Sequence, residues 1–96
     1  MPTFAWTERF DLDLDKLTAE QRDAFQASVR QFVEDLQRGS FRNGLRVKGV
    51  QRASGVYEMT WAPDGRATFE YGPEQLPGEK HIIWRRIGTH DIFGRP

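Results

Sequence analysis

The sequence predicts an α+β fold in which a helix layer packs on one face of an antiparallel sheet, in the order β-α(α)-β-β-β(-β). Three observations lead to this class. Aromatic residues alternate with polar ones at the N-terminus, one long stretch has helical periodicity, and the chain after Gly39 has the two-residue period of strands. A chain of 96 residues has the length of one domain, and we expect a single domain over residues 1–96.

The N-terminal segment predicts an opening strand. Phe4, Trp6 and Phe10 alternate with polar residues, so we expect the strand over residues 3–10. Residues 11–17 contain three aspartates, so one side of this segment has few apolar side chains to bury. This second segment is either a short helical turn or a loop.

The one long helix is expected over Thr18–Gln37. Thr18 and Gln21 have the spacing of a capping box, and Gly39 provides the stop signal. The buried face is predicted from apolar residues at helical spacing, which are Phe25, Val29, Phe32, Val33 and Leu36.

Four candidate strands follow the helix, and Gly and Pro residues separate them. They are Leu45–Gln51, Val56–Ala62, Arg66–Gly72 and His81–Gly88. Consecutive strands favour an antiparallel meander with one face against the helix and the other face open.

Composition excludes several classes of function. The chain has no cysteine, which excludes disulfides and thiolate metal sites and favours a reducing cytoplasm. No apolar run approaches the roughly 20 residues that cross a bilayer, so no membrane role is expected. The net charge of zero hides an uneven distribution, because an acidic N-terminal part precedes a basic remainder. Five cations without an acid lie between Arg38 and Arg52, which is typical of a phosphate-binding surface or of a solvated basic loop.

The predicted hairpin of the second and third candidate strands has one apolar and one polar face. Matching the faces pairs Thr60 with Thr68 and Glu58 with Glu70, across a three-residue loop that ends with Gly65 in the left-handed conformation. Two opposed carboxylates are unfavourable unless cations lie between them.

The polar face carries the chemistry. Arg46, Lys48, Glu58, Arg66 and Glu70 together would provide phosphate binders, a stabiliser of developing charge and a proton acceptor, which phosphodiester cleavage needs. The alternative is a solvated polar face with cross-strand ion pairs of little energetic weight.

His90 follows the last strand and could return over the sheet as a general acid or base. His81 opens that strand and is interpreted as structural. Two histidines without cysteine give no zinc-ligand spacing, so we expect no metal and no other cofactor.

Four segments, in this order and spacing, give the chain a resemblance to a known family over nearly its whole length. They are FRNGLRVK at 41–48, GVYEM at 55–59, DGRATF at 64–69 and IGTHDIF at 87–93. The family is that of the RelE-like toxins of bacterial type II toxin-antitoxin systems, the RelE/ParE superfamily.

The resemblance implies a metal-independent endoribonuclease that cuts mRNA, often in the ribosomal A site, and that a cognate antitoxin holds inactive. In such enzymes the ribose 2′-hydroxyl attacks the adjacent phosphorus. By position, Arg66 resembles the family's transition-state arginine, and His90 resembles part of its C-terminal catalytic segment. Arg46 and Lys48 resemble its basic sheet residues. Glu58 is a further catalytic candidate from the face argument alone.

The expected RNA-binding residues are Arg42, Arg46, Lys48, Arg85 and Phe93. Many active members have a tyrosine near the C-terminus, where this chain has Phe93. Phenylalanine can stack on a base but cannot exchange a proton.

Two other functions compete with the nuclease. One is a ParE-like protein that blocks DNA gyrase by binding, and the other is a catalytically silent module that binds RNA or a partner. The basic residues and His90 favour the nuclease. An antitoxin would cover the basic face or a hydrophobic groove beside the long helix with an amphipathic segment.

Overall fold

The computed structural model describes all 96 residues and contains five strands, two α-helices and two short 3₁₀ helices. The strands are β1 (Thr3–Trp6), β2 (Lys48–Gly49), β3 (Val56–Ala62), β4 (Gly65–Gly72) and β5 (His81–Gly88). The α-helices are α1 (Glu8–Asp15) and α2 (Ala19–Arg38), and the 3₁₀ helices are Asn43–Leu45 and His90–Gly94. The strands form one sheet in the order β1-β5-β4-β3-β2. The α+β fold class with a helix layer on one sheet face is therefore confirmed.

The opening strand is shorter than predicted. It ends at Trp6 because the Thr7 hydroxyl accepts a hydrogen bond from the backbone N–H of Phe10 (3.1 Å) and caps α1. Phe10 is thus a buried helix residue and not the last residue of a strand. Of the two alternatives for residues 11–17, the helical one is correct as far as Asp15.

The long helix is confirmed together with its signals. Both hydrogen bonds of the capping box form, from the Gln21 backbone to the Thr18 hydroxyl (3.1 Å) and from the Thr18 backbone to the Gln21 side chain (2.8 Å). The helix ends at Gly39, which takes the left-handed conformation at φ 88°.

The predicted strand Leu45–Gln51 is wrong over most of its length, because only Lys48 and Gly49 pair with β3. The cause is Asp35, a fully buried residue of α2. Its carboxylate accepts hydrogen bonds from the backbone N–H and from two guanidinium nitrogens of Arg42, each 2.8 Å long. The chain is thereby tied to the end of α2, and Leu45 enters the core from a 3₁₀ turn.

The β3–β4 hairpin has the predicted faces but not the predicted register. Ala62 pairs with Gly65 across a loop of two residues, and Trp61 forms a bulge that has no partner. Glu58 consequently lies opposite Thr68 and not Glu70, so the expected pair of opposed carboxylates does not form. On its other side Glu58 faces Lys48 of β2.

The sheet is mixed and not wholly antiparallel, because β1 runs parallel to β5. Beyond Trp84 the edge of β5 lacks a strand partner, and α1 takes that place. The Thr7 hydroxyl donates to the carbonyl of Arg85 (2.8 Å), and the backbone N–H of Ile87 donates to the buried carboxylate of Asp13 (3.2 Å). A side chain thus replaces a neighbouring strand as acceptor.

Both helices pack on the same face of the sheet around a cluster of aromatic rings. Phe32 of α2 lies 5.1 Å from Phe69 and 5.4 Å from Trp84 between ring centroids, and Phe10 of α1 lies 6.2 Å from Trp84. Apolar burial of such rings is the main stabilising contribution in a domain of this size. The opposite face is left without a helix layer. Neither helix is long and apolar enough to cross a membrane.

The bulged hairpin predicts that a side chain at Gly65 destabilises the fold. A Cβ atom at this position would lie 2.6 Å from the indole ring of Trp61, whereas one at Gly44 would meet nothing within 4 Å. We expect Gly65→Ala to lower the free energy of unfolding by about 1–3 kcal/mol through overpacking. Urea unfolding measures this loss, and Gly44→Ala is the matched control. Equal stability of the two variants would contradict the close contact.

The buried ion pair predicts an acid-sensitive contribution to stability. Hydrogen bonds from Arg42 hold the pKa of Asp35 well below its usual value of about 3.9. The contribution is therefore complete above pH ~4 and is lost as the pH falls toward the lowered pKa. We expect Asp35→Asn to reduce the urea midpoint strongly near neutral pH and much less in acid. The exposed Asp23→Asn is the control, and a loss for Asp35→Asn that does not change with pH would refute the assignment.

Candidate functional site

The sheet face opposite the helices carries polar residues from three neighbouring strands. Lys48 of β2 lies opposite Glu58 of β3, which in turn lies opposite Thr68 of β4. The alternation of side chains along each strand brings this row to one face. The row forms the floor of the candidate site.

The 3₁₀ helix His90–Gly94 folds over part of this face. Ile92 of this helix is buried against the sheet. Gly88 makes space for it, since a Cβ atom at Gly88 would lie 3.0 Å from a methyl carbon of Ile92. The anchored turn carries Phe93 to the floor of the site and His90 to the tip of the β3–β4 hairpin.

A cavity of about 270 Å³ joins three of the residues that the sequence predicted. Lys48, Glu58 and Phe93 line it, together with Gly49, Val50 and Gln51. The cavity offers a cation for a phosphate, a carboxylate that can accept a proton, and an aromatic ring that can stack on a base. We call it the Lys48 cavity.

His90 stands beside the Lys48 cavity and has a carboxylate partner. Its Nδ1 lies 2.8 Å from Oδ1 of Asp64, and its ring centroid lies 5.8 Å from that of Phe93. A carboxylate acceptor at Nδ1 favours the tautomer with the proton on Nδ1 and leaves Nε2 unoccupied. The imidazole is 59% exposed, so Nε2 is accessible to a substrate.

The sequence reasoning missed Asp64. It treated this residue as one of three in a hairpin loop, but the two-residue turn raises Asp64 to the tip, next to the returning His90. An acidic residue in a turn opposite a candidate histidine was the available signal.

Arg66 is buried to 9% exposure on the same face, between Thr60 and Gly88. Its Nη1 donates to the carbonyls of the hairpin, namely those of Ala62 (3.3 Å), Pro63 (3.3 Å) and Gly65 (2.9 Å). Arg66 thus stabilises the turn that presents Asp64. Its Nε and Nη2 donate to no protein atom.

Three predicted RNA-binding residues lie outside the Lys48 cavity. The guanidinium of Arg42 is bound by Asp35, and this hydrogen bond raises the pKa of Arg42. Arg46 is exposed in the left-handed conformation before β2, and Arg85 lies on β5, 3.3 Å from Glu70. The RNA-binding roles of these residues stay predictions.

His81 has a structural contact, because its Nδ1 lies 2.7 Å from the hydroxyl of Thr3 between β5 and β1. No group of three or more His, Cys, Asp or Glu side chains is arranged to hold a metal ion.

The fold is similar to that of several toxin structures. A chain of the E. coli DinJ-YafQ complex matches with a TM-score of 0.66 at 14% identity, over 95% of this chain and 96% of that one. A chain of the RelB-RelE antitoxin-toxin complex from Methanococcus jannaschii matches with a TM-score of 0.59 at 17% identity, over 91% of each chain. The YoeB/ParE toxin from Agrobacterium tumefaciens matches with a TM-score of 0.66 at 12% identity, over 92% of this chain and 98% of that one.

No protein-family model and no curated protein sequence matches the chain. The structural matches show that the protein has the fold of RelE-type toxins, as its resemblance to that family implied.

The Asp64 contact predicts the tautomer of His90. We expect neutral His90 to carry its proton on Nδ1 and Asp64→Ala to shift the population toward the Nε2 tautomer, because the acceptor at Nδ1 is lost. Ring ¹⁵N chemical shifts report the tautomer. Asp91→Ala, which removes an exposed neighbouring carboxylate, is the control. Identical ¹⁵N shifts in the wild type and Asp64→Ala would rule out the contact.

Proposed function

We propose that this protein is the toxin of a type II toxin-antitoxin system and acts as a metal-independent endoribonuclease on mRNA presented by the ribosome. One observation carries the proposal. Lys48, Glu58 and Phe93 meet around one cavity beside the Asp64–His90 pair, on the sheet face opposite the two α-helices of a RelE-type fold.

The reaction would begin at the ribose 2′-hydroxyl. Glu58 accepts its proton, and the 2′-oxygen forms a bond to the adjacent phosphorus. Lys48, the cross-strand neighbour of Glu58, binds the phosphate and offsets the negative charge that grows on its nonbridging oxygens.

The reaction would end at the 5′-oxygen of the next nucleotide. The bond from phosphorus to this oxygen breaks, and protonated His90 donates the proton from Nε2 to the leaving oxygen. Asp64 acts as a positioning residue, because it holds Nδ1 and leaves Nε2 free to face the substrate. The products are a 2′,3′-cyclic phosphate and a 5′-hydroxyl, and no cofactor takes part.

Two further residues would complete the site. Nε and Nη2 of Arg66 stabilise the phosphorane while its Nη1 holds the hairpin. Phe93 stacks on a base and takes no part in proton transfer, so that role falls to Glu58 and His90. Arg46, exposed before β2, extends the cationic surface for the RNA backbone.

A cognate antitoxin is the proposed partner. A groove of about 440 Å³ lies between β1, α1 and α2 and is lined mainly by apolar side chains, including Phe4, Phe10, Phe25 and Trp84. Trp6, also in this groove, is 59% exposed. An amphipathic segment of an antitoxin would bury this surface.

A second candidate is a catalytically silent RNA-binding module. The observation that favours it is Arg66, since one of its guanidinium nitrogens already serves three backbone carbonyls. A gyrase-binding toxin without nuclease activity is the third candidate, and the experiment below distinguishes all three.

The decisive experiment is controlled expression in a bacterial host, with mapping of the 5′ ends of its mRNAs. We expect growth arrest and new 5′ ends for the wild type. His90→Ala should reduce cleavage by about 10²- to 10⁴-fold, because it removes the proton donor to the leaving group. Glu58→Gln should cause a similar loss. Arg30→Ala, an exposed change on α2, is the matched control and should cleave like the wild type.

Each other outcome has a meaning. Growth arrest without new 5′ ends would favour a gyrase-type or other binding inhibitor. Absence of arrest would favour the silent module, and cleavage by His90→Ala at the wild-type rate would remove His90 from the mechanism. The position of the new ends within codons would show whether the ribosome presents the substrate.

A further inference from the structure

A second concave surface lies along β5, away from the Lys48 cavity. It encloses about 200 Å³, and its lining consists of Thr7, Arg9, Arg85, Arg86, Arg95 and Pro96. Four of these six residues are arginines, and no carboxylate side chain lines the cavity. We call it the arginine cavity.

Three irregular features of the backbone bring the arginines together. A bulge in β5 leaves Arg85 without a partner on β4, so that Arg85 and Arg86 both reach the cavity instead of pointing to opposite faces. The early end of β1 places Arg9 in the first turn of α1. Arg95 follows the 3₁₀ helix that carries His90.

Two of the guanidinium groups are held in fixed positions. Arg86 donates from Nε to Asp13 (2.6 Å) and from Nη1 to the carbonyl of Arg95 (2.9 Å), and Arg85 donates from Nε to the backbone oxygen of Pro96 (3.1 Å). Arginines that are already ordered lose less side-chain entropy when they bind a ligand.

The side chains leave an excess of positive charge. Only two side-chain carboxylates lie within 4 Å of the four guanidiniums, Asp13 beside Arg9 and Arg86, and Glu70 beside Arg85. No acidic side chain pairs with Arg95. Four guanidiniums against two side-chain carboxylates favour binding of an anion, and guanidinium groups match the oxygen geometry of phosphate.

The position of the cavity indicates which phosphate it binds. Lys48 is on β2 and Arg85 is on β5, three strand spacings apart across the sheet, or about 14 Å. This separation exceeds that of adjacent phosphates in one strand of RNA. Arg85 nevertheless contacts Glu70 of the neighbouring strand β4, and Arg95 continues the segment that contains Phe93. The segment 93–95 thus reaches from the lining of the Lys48 cavity to the lining of the arginine cavity.

We infer that the arginine cavity binds a backbone phosphate of the RNA substrate remote from the phosphate that is cleaved. The inference rests on the proposed function and adds to it a second contact that holds a longer RNA across β5. Arg9 and Arg95 provide this contact together with Arg85 and Arg86.

The test compares binding of two RNA analogues that cannot be cleaved because every 2′-hydroxyl is methylated. One is a dinucleotide, which spans a single phosphate, and the other is an oligonucleotide of about 12 nucleotides. The proteins are the wild type, the double variant Arg9→Ala/Arg95→Ala and the control Arg30→Ala. The two mutated arginines are exposed, and thermal unfolding of each variant checks that the fold is retained.

For the double variant we expect roughly 3- to 10-fold weaker binding of the long analogue and unchanged binding of the dinucleotide. The slope of log K against log salt should decrease by about 0.7 for each lost phosphate contact. The control should behave like the wild type.

Other results overturn the inference in distinguishable ways. Equal weakening for both analogues would assign the arginines to the cleaved phosphate, and unchanged binding of both would remove them from RNA recognition. Failure of the wild type to bind either analogue would overturn the proposed function itself. In that case, binding of inorganic phosphate or anionic lipid vesicles through Arg9 and Arg95 would identify a different anion.

Discussion

The close contact between Gly65 and the indole of Trp61 is the constraint on which the rest of the candidate site depends. Only glycine fits at position 65. The contact occurs together with the bulge at Trp61 and the two-residue turn of the β3–β4 hairpin. This turn sets the register that places Glu58 between Lys48 and Thr68. It also raises Asp64 to the tip, where His90 meets it. A hairpin with a longer loop would separate these groups.

Two buried carboxylates of the acidic N-terminal part connect it to the basic remainder of the chain. Asp13 supplies an acceptor at the unpaired edge of β5 and binds Arg86, and Asp35 supplies acceptors to the loop that follows α2 and binds Arg42. Asp13 replaces a strand partner that the short β1 does not provide, and Asp35 fixes the course of the chain before β2. The uneven charge along the sequence therefore has a structural role, because carboxylates of the helices hold arginines of the later chain in place. Other arginines stay exposed.

The pairing with Asp13 and Asp35 decides which arginines are held by a buried carboxylate and which are exposed. Arg42 is held at the end of α2, while Arg9 and Arg95 are exposed around the arginine cavity. The proposed chemistry uses the few polar groups that no buried partner occupies, namely Lys48, Glu58 and Nε2 of His90. Such groups are free to change their protonation or to bind phosphate without loss of a structural contact.

The sequence by itself determined the elements whose signals are local. The capping box and apolar spacing of α2, the alternation in β3, β4 and β5, and the position of His90 after β5 all depend on residues within a few positions of one another. Only the tertiary structure decided the register of the hairpin, the partner of His90 and the binding of Arg42 by Asp35. These features depend on packing against Trp61 and on contacts between residues distant in sequence, such as Asp64 with His90. Periodicity predicts which face a side chain occupies, but not which residue it meets there.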